Sequence, residues 1–208
     1  MIDPPLVLAT RNKGKIAEFE KMAAYFGIDI KNLNDFKPIP AAKEDGKNFE
    51  ENALKKARLT AKVLGLPALA DDSGLIVQAL DGMPGVHSAR YAGENATDEE
   101  NNFKLLRAME GINDRHASFI CVIAIAVPQG DALIYKGMCD GLIVYEPAGG
   151  QGFGYDSLFY YPPMDKTFAQ MPAEEKNRVS HRGKAMEKLR NEFDRVLVWL
   201  RQKLNEKN

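Results

Sequence analysis

Short apolar runs bounded by turn residues alternate along this chain with longer stretches whose apolar positions recur every three or four residues, which predicts strands interleaved with amphipathic helices. Leu6-Val7-Leu8-Ala9 has the pattern of a short buried strand, and the polar turn Thr10-Arg11-Asn12-Lys13-Gly14-Lys15 follows it. Ile16, Phe19, Met22, Ala23 and Phe26 then recur at helical spacing until Gly27, a natural stop. A second helix is expected from near Asn48, with Glu51 completing a capping box, through Ala53, Leu54, Ala57, Leu59, Ala61 and Leu64 to Gly65. Strands are predicted at about 68–71 and 75–80, flanking a tight turn at Asp71-Asp72-Ser73-Gly74, with the loop Asp81-Gly82-Met83-Pro84-Gly85 after them. Thr97 and Glu100 make a capping box for a helix ending near Gly111. Ser118 through Val127 reads as a fully buried strand and Ala132 to Tyr145 as one or two partners. Glycine fills four of the six positions 149–154, so that segment is a loop of unusual backbone angles or close approach. The C-terminal part returns to helix, with Ser180 as N-cap and Val196, Leu197, Leu200 and Leu204 on the core face. No repeat, low-complexity segment or linker divides the chain. The expected class is α/β, one domain over residues 1–208 or two lobes sharing a sheet.

Composition narrows the partners. A chain of 208 residues with 45% hydrophobic and 27% charged residues has the makings of a globular protein with one sizeable core. A formal net charge of −1 argues against a general nucleic-acid or anionic-membrane binder, so any polyanion site must be a local cluster of bases. Cys121 and Cys139 lie in apolar strand-like context without metal-ligand spacing, and are read as buried thiols in a reducing compartment. The start Met1-Ile2-Asp3-Pro4-Pro5 has no signal-peptide pattern, and no apolar run approaches a membrane span. The expected location is the cytoplasm.

Several segments could carry chemistry. Adjacent strand residues point to opposite faces, so one of Asp71 and Asp72 can serve as metal ligand or general base while its neighbour orients it; read alone, Asp-Asp-Ser-Gly is equally a hydrophilic turn. Thr10, Asn12, Lys13, Gly14 and Lys15, with Arg11 beside them, stand between a strand and a helix start, where amide N–H groups and the helix dipole favour phosphate; the same loop is equally a solvated basic turn. It lacks the spacing of a Walker A loop. Lys55 and Lys56 lie about one turn beyond Glu51 and Asn52, positions where most lysines are surface residues, and Glu44 and Asp45 precede that helix within possible reach of a cation. Phe153 and Tyr155 flank Gly154, with Asp156 next, as either a stacking platform for a planar base or two core aromatics. Lys176, Ser180, His181 and Arg182 gather donors around a helix start, and His87 and Arg90 either line a site or brace the loop after Gly85. Together these pieces describe a nucleoside triphosphate site with a hydrolytic centre, where oxygen ligands favour magnesium over zinc.

The chain resembles the Ham1-type inosine/xanthosine triphosphate pyrophosphatases. The resemblance rests on Ala9-Thr10-Arg11-Asn12-Lys13-Gly14-Lys15, Phe49-Glu50-Glu51-Asn52-Ala53, Ala70-Asp71-Asp72-Ser73-Gly74-Leu75, Pro84-Gly85-Val86-His87-Ser88-Ala89-Arg90-Tyr91, Gly152-Phe153-Gly154-Tyr155-Asp156 and Glu175-Lys176-Asn177-Arg178-Val179-Ser180-His181-Arg182, in the family's order. Arg11 stands where the family often has a small residue. The resemblance implies an elongated central mixed sheet flanked by helices, two lobes around a substrate cleft, and a homodimer. It implies Mg²⁺-dependent hydrolysis of ITP, dITP or XTP to the monophosphate and pyrophosphate, removing deaminated purines from the nucleotide pool. By matching motif, Asp72 is the expected general base and a metal ligand, with Glu44 the second acidic metal contact. Thr10, Asn12, Lys13, Lys15, Lys56 and Ser73 are expected on the phosphates, with Arg11 and Gly14 in the same loop. Phe153 is expected to stack on the base, with Gly154, Tyr155 and Asp156 in the same pocket and Lys176, His181 and Arg182 at the base edge. Three rivals are a non-catalytic nucleotide-binding module, a phosphoryl-transfer enzyme and an RNA-associated protein. The first has no use for Asp71-Asp72, the second lacks its signatures, and the third fits poorly with the near-neutral charge.

Overall fold

A computed structural model describes residues 5–26 and 30–205. The strands are β1 (Leu6–Leu8), β2 (Ile30–Asn32), β3 (Ala68–Val77), β4 (His116–Ala126), β5 (Ala132–Ile143), β6 (Phe159–Tyr161) and β7 (Lys166–Thr167). The helices are α1 (Lys13–Phe26), α2 (Phe49–Leu64), α3 (Asp98–Ala108), α4 (Ala173–Val179), α5 (His181–Asn191) and α6 (Phe193–Asn205). The strands form a seven-stranded sheet in the order β2-β1-β3-β4-β5-β6-β7. It is mixed: β1 runs parallel to β2 and β3, with Leu6 opposite Ile30 and Leu8 opposite Leu69, while β6 is antiparallel to β5 and β7. The fold class is therefore α/β, as the alternation of patterns predicts. No helix among the described residues is long and apolar enough to cross a membrane.

Two compact units divide the chain, one covering the residues up to Asp72, Val122–Tyr135 and the chain from Ala185 onward, the other Ser73–Cys121 and Lys136–Lys184. In the first unit, Leu6, Val7, Leu8, Phe19, Leu69, Ile123, Ile125 and Leu200 are buried. The buried positions of α2 are Phe49, Asn52, Ala53, Ala57, Thr60 and Ala61, so one aromatic, three alanines and two polar residues make its inner face while Leu54, Leu59 and Leu64 are only half-buried. In the second unit, Phe119, Phe159 and Phe168 form an aromatic centre with ring centroids 4.7 and 4.8 Å apart along the series, surrounded by Leu105, Met109, Tyr155 and Leu158. Such rings combine large apolar burial with favourable tilted geometry. Both cysteines are buried thiols outside any disulfide, and burial pushes the Cys139 thiol up to about 11.

Two sequence expectations change. Asp71-Asp72-Ser73-Gly74 is not a turn between two strands; it lies inside the single ten-residue strand β3, with no positive φ among these residues. The turn chemistry of Asp-Ser-Gly yields to ladder pairing once both acids have cationic partners. The cap of α2 also differs: Asn48 Oδ1 accepts from Glu51 N–H at 2.9 Å, but the Glu51 carboxylate accepts from Lys47 N–H at 2.9 Å, one residue upstream of the expected box. The Thr97–Glu100 box on α3 closes in both directions. Ser180 Oγ accepts from Gly183 N–H at 3.1 Å, capping α5. Gly27, the expected stop of α1, lies outside the described residues, as do the side chains of Met22, Ala23 and Phe26.

Candidate active site

In the first unit, β1 delivers the chain into the loop Thr10-Arg11-Asn12 at the start of α1. Asn12 caps this helix, its Oδ1 accepting from Lys15 N–H at 3.1 Å, while its own N–H donates to Thr10 Oγ1 at 3.2 Å. Thr10 and Asn12 therefore shape the loop through their own side chains. Arg11, Asn12 and Lys13 are exposed, and the helix start adds its positive dipole end. Lys15 turns inward instead, its Nζ 3.0 Å from Asp71 Oδ1, on a carboxylate whose side chain is fully buried. The cradle thus has one exposed lysine and one anchored lysine.

Asp72 points to the other face of β3 and meets α2. Its Oδ1 lies 2.6 Å from Lys56 Nζ, and Glu44 Oε1 lies 3.6 Å from the same ammonium. Asp71 and Asp72 are only 3% and 7% exposed, so the pairing with separate lysines is what allows adjacent carboxylates in a buried strand. Burial raises the Asp72 carboxyl above the ordinary carboxylate range; Lys56 opposes this, Glu44 adds to it and Lys15 opposes it. Burial works against charge on Lys56, but Asp72, Asp71 and Glu44 outweigh it and hold the ammonium's pKa above its usual value. The centre is a carboxylate with raised basicity beside a lysine whose charge its acidic neighbours favour.

Two carboxylates converging on one cation suit Mg²⁺, which takes one or two protein carboxylates and completes its shell with water and phosphate oxygens. Asp72 and Glu44 are the residues that could hold it. Among the described residues no cluster of three or more His, Cys, Asp or Glu offers a protein-only metal cage.

Sequence reasoning missed what fixes the Glu44 segment. Asn52, fully buried in the first turns of α2, accepts Gly46 N–H at 2.7 Å. A Cβ at Gly46 would stand 2.5 Å from that same Asn52 oxygen and 2.9 Å from Glu51 Cβ, so only glycine permits the approach. Asp45 is tied to Lys55 at 2.8 Å and Lys43 at 3.1 Å on the surface, which lowers its carboxyl to about 2.

The second unit holds the aromatic and its cations. Gly149, Gly152 and Gly154 take φ of 86°, 82° and 62°, which lets the loop turn tightly around Asp156. The Asp156 carboxylate accepts from Phe153 N–H at 2.9 Å and from Lys176 Nζ at 2.5 Å. Lys176 Nζ lies 5.1 Å and Arg182 Cζ 5.6 Å from the Phe153 ring centroid, within cation–π range. Phe153 itself is 36% exposed, unusual for a phenylalanine with so many fixed neighbours. Arg182 donates through Nη2 to Ser73 Oγ at 3.0 Å. His181 is buried with its ring stacked on Phe119, centroids 4.6 Å apart. Tyr155 is a core residue: its hydroxyl donates to Ser88 O at 2.8 Å, and burial pushes its phenol up. Of the expected residues, Asp156, Lys176 and Arg182 are gathered around Phe153, whereas Tyr155 reaches away from it. Exposed His87 and half-buried Arg90, whose Nε lies 3.7 Å from Glu94, belong to the segment that Ser88 pins. Ser88 Oγ does so by accepting from Leu75 N–H at 2.9 Å and donating to Gly85 O at 2.6 Å.

The profile of the Ham1 family matches residues 6–192. A dITP/XTP pyrophosphatase of Syntrophobacter fumaroxidans is 58% identical over 203 residues, 98% of this chain and 88% of that protein. One of Desulfotalea psychrophila is 57% identical over the same share of this chain and 91% of its own length. Among solved structures, a HAM1 protein from Coxiella burnetii superposes with a TM-score of 0.86 at 45% identity, covering 92% of this chain and 98% of that one. The Staphylococcus aureus Ham1 protein gives 0.84 at 41% identity, covering 91% and 98%. With the acid–lysine centre on β3 and the glycine-rich aromatic loop both in place, this chain belongs to the Ham1 family.

Proposed function

We propose that this chain is a nucleoside triphosphate pyrophosphohydrolase that converts dITP, ITP and XTP to the monophosphate and pyrophosphate, with Mg²⁺ held by Asp72 and Glu44. The observation that carries the reading is the buried Asp72–Lys56 pair with Glu44 on the same ammonium. Relatives of 57–58% identity bearing the name dITP/XTP pyrophosphatase support the substrate class.

In this reading Lys13, Lys15 and the start of α1 take the triphosphate, and Lys56 offsets the charge nearest the reacting centre. Bound Mg²⁺ supplies further charge neutralisation on the phosphate oxygens. Asp72 accepts a proton from a water whose oxygen forms the new bond to the α-phosphorus. The bond from that phosphorus to the bridging oxygen breaks, and pyrophosphate leaves carrying the electron pair. In the metal-free protein burial raises the Asp72 carboxyl, the direction that favours a proton acceptor.

Phe153 offers its ring to the purine, and Lys176, His181 and Arg182 supply donors for a 6-oxo group. An adenine 6-amino group would face those donors with another donor. A buried unpaired polar group costs roughly 1–3 kcal/mol, about ten- to a hundredfold in rate. Guanine shares the 6-oxo group, so exclusion of GTP requires a second contact at its 2-amino group. The proposal includes a cytoplasmic homodimer: two buried thiols outside any disulfide support a reducing compartment, and the family resemblance supports the dimer.

The test is pyrophosphate release from ITP, XTP, dITP, ATP and GTP, with and without Mg²⁺. Metal-dependent release confined to ITP, dITP and XTP is the expected result. Release of orthophosphate instead, or equal turnover of ATP, would contradict it.

A further inference from the structure

Phe153 is a 36% exposed ring in a glycine-rich loop, and part of what holds its backbone lies outside that loop, on α3, an element with no place in the proposed chemistry. Asp98, in the first turn of α3, accepts the Gly154 N–H through Oδ2 at 2.6 Å. Asn102, one turn later, donates through Nδ2 to the Gly154 carbonyl at 3.1 Å and reaches Ser157 Oγ at 3.4 Å. The spacing of four residues puts both side chains on one face of the helix, so a single face grips both polar groups of one glycine. On the other side of that peptide, the Phe153 N–H and C=O are engaged by Asp156, through its carboxylate at 2.9 Å and its amide at 3.3 Å. Four consecutive backbone groups around the ring are thereby held. The Thr97–Glu100 box fixes the end of α3 from which Asp98 projects.

We propose that Asp98 and Asn102 are positioning residues for base recognition: they clamp Gly154 so that the Phe153 ring is preset for stacking, sparing the loop an ordering cost on binding. The inference rests on Phe153 as the base platform. It concerns neither the phosphates nor the acid centre, and this separates its test from a test of the hydrolytic chemistry.

The experiment is isothermal titration of IMP and, separately, of inorganic pyrophosphate into the wild type, Asp98→Ala, Asp98→Asn and Asn102→Ala, with Mg²⁺ present. Each alanine variant is expected to bind IMP about tenfold more weakly, the scale of one to two hydrogen bonds, with pyrophosphate affinity unchanged within about twofold. Asp98→Asn keeps an acceptor oxygen and is expected to stay near the wild type. Steady-state turnover of ITP should show the same pattern as a raised KM at nearly constant kcat. Unchanged IMP affinity in the alanine variants would overturn the clamp, as would equal losses for IMP and pyrophosphate, which mark a general structural role. An Asp98→Asn as weak as Asp98→Ala would overturn its hydrogen-bond basis. A wild type that binds pyrophosphate but not IMP would instead overturn the base-platform reading and the clamp with it.

Discussion

The candidate site of the first unit is built on buried charge pairs, whereas that of the second is a backbone held around an exposed ring. Asp71 and Asp72 sit inside a strand at 3% and 7% exposure, each tied to a lysine from a different helix. Phe153 is 36% exposed, and what is fixed is the loop beneath it. The physical consequence is a difference in tolerance. A buried ion pair that loses one member leaves an uncompensated charge in the interior, so stability and chemistry fail together. An exposed ring on a well-held loop can be removed at little cost to the fold, so binding fails alone.

The sharpest way to break this comparison is Lys56→Met. It leaves Asp72 buried without its 2.6 Å partner, and urea denaturation at neutral pH should show a loss of about 3–5 kcal/mol together with loss of turnover. A stable, active Lys56→Met would erase the contrast. Gly46→Ala comes next. Its Cβ would press on the Asn52 oxygen at 2.5 Å, costing about 1–3 kcal/mol and shifting the Glu44 segment. A raised half-saturating Mg²⁺ concentration, with Mn²⁺ binding followed by electron paramagnetic resonance, is the reading to make.

Phe153→Ala should weaken nucleotide binding by about 1–3 kcal/mol, the worth of stacking one base, while the urea midpoint moves by less than about 0.5 kcal/mol equivalent. Equal effects on binding and stability would mean that the ring is part of the core. The smallest effect is in acid titration. Burial raises the Asp72 carboxyl, so in the metal-free protein its titration, followed by its carbon-13 resonance, should lie at a higher pH than that of an ordinary carboxylate at about 3.9. A titration at or below the ordinary range would contradict the effect of burial on Asp72.

What the sequence made legible follows the range of the interactions. Asn48 capping α2, the Thr97–Glu100 box and Ser180 capping α5 all act within three residues, and local spacing reveals them. The turn expected at Asp71-Asp72 does not form because its acids meet lysines distant in sequence. Lys56 lies 16 positions away from Asp72 and Lys15 further still, and these partners make an acidic strand stable. The same limit hid Asp98 and Asn102, which reach Gly154 across 56 and 52 positions. Asn52 and Gly46 are close in sequence, but their contact depends on the close approach of two backbone segments, which no pattern of polarity signals. The candidate site residues stand out by type and motif; the residues that hold them in place do not.

In the proposed reaction Asp72 is the group that takes the proton from water. The decisive measurement is the pyrophosphate-release rate of Asp72→Asn with ITP and Mg²⁺, beside its affinity for ITP by titration. Turnover reduced by about a hundredfold or more with affinity kept within about tenfold is the predicted result, matching the usual worth of a general base. Near-normal turnover in Asp72→Asn would contradict the assignment and leave the acid–lysine pair on β3 with a purely structural role.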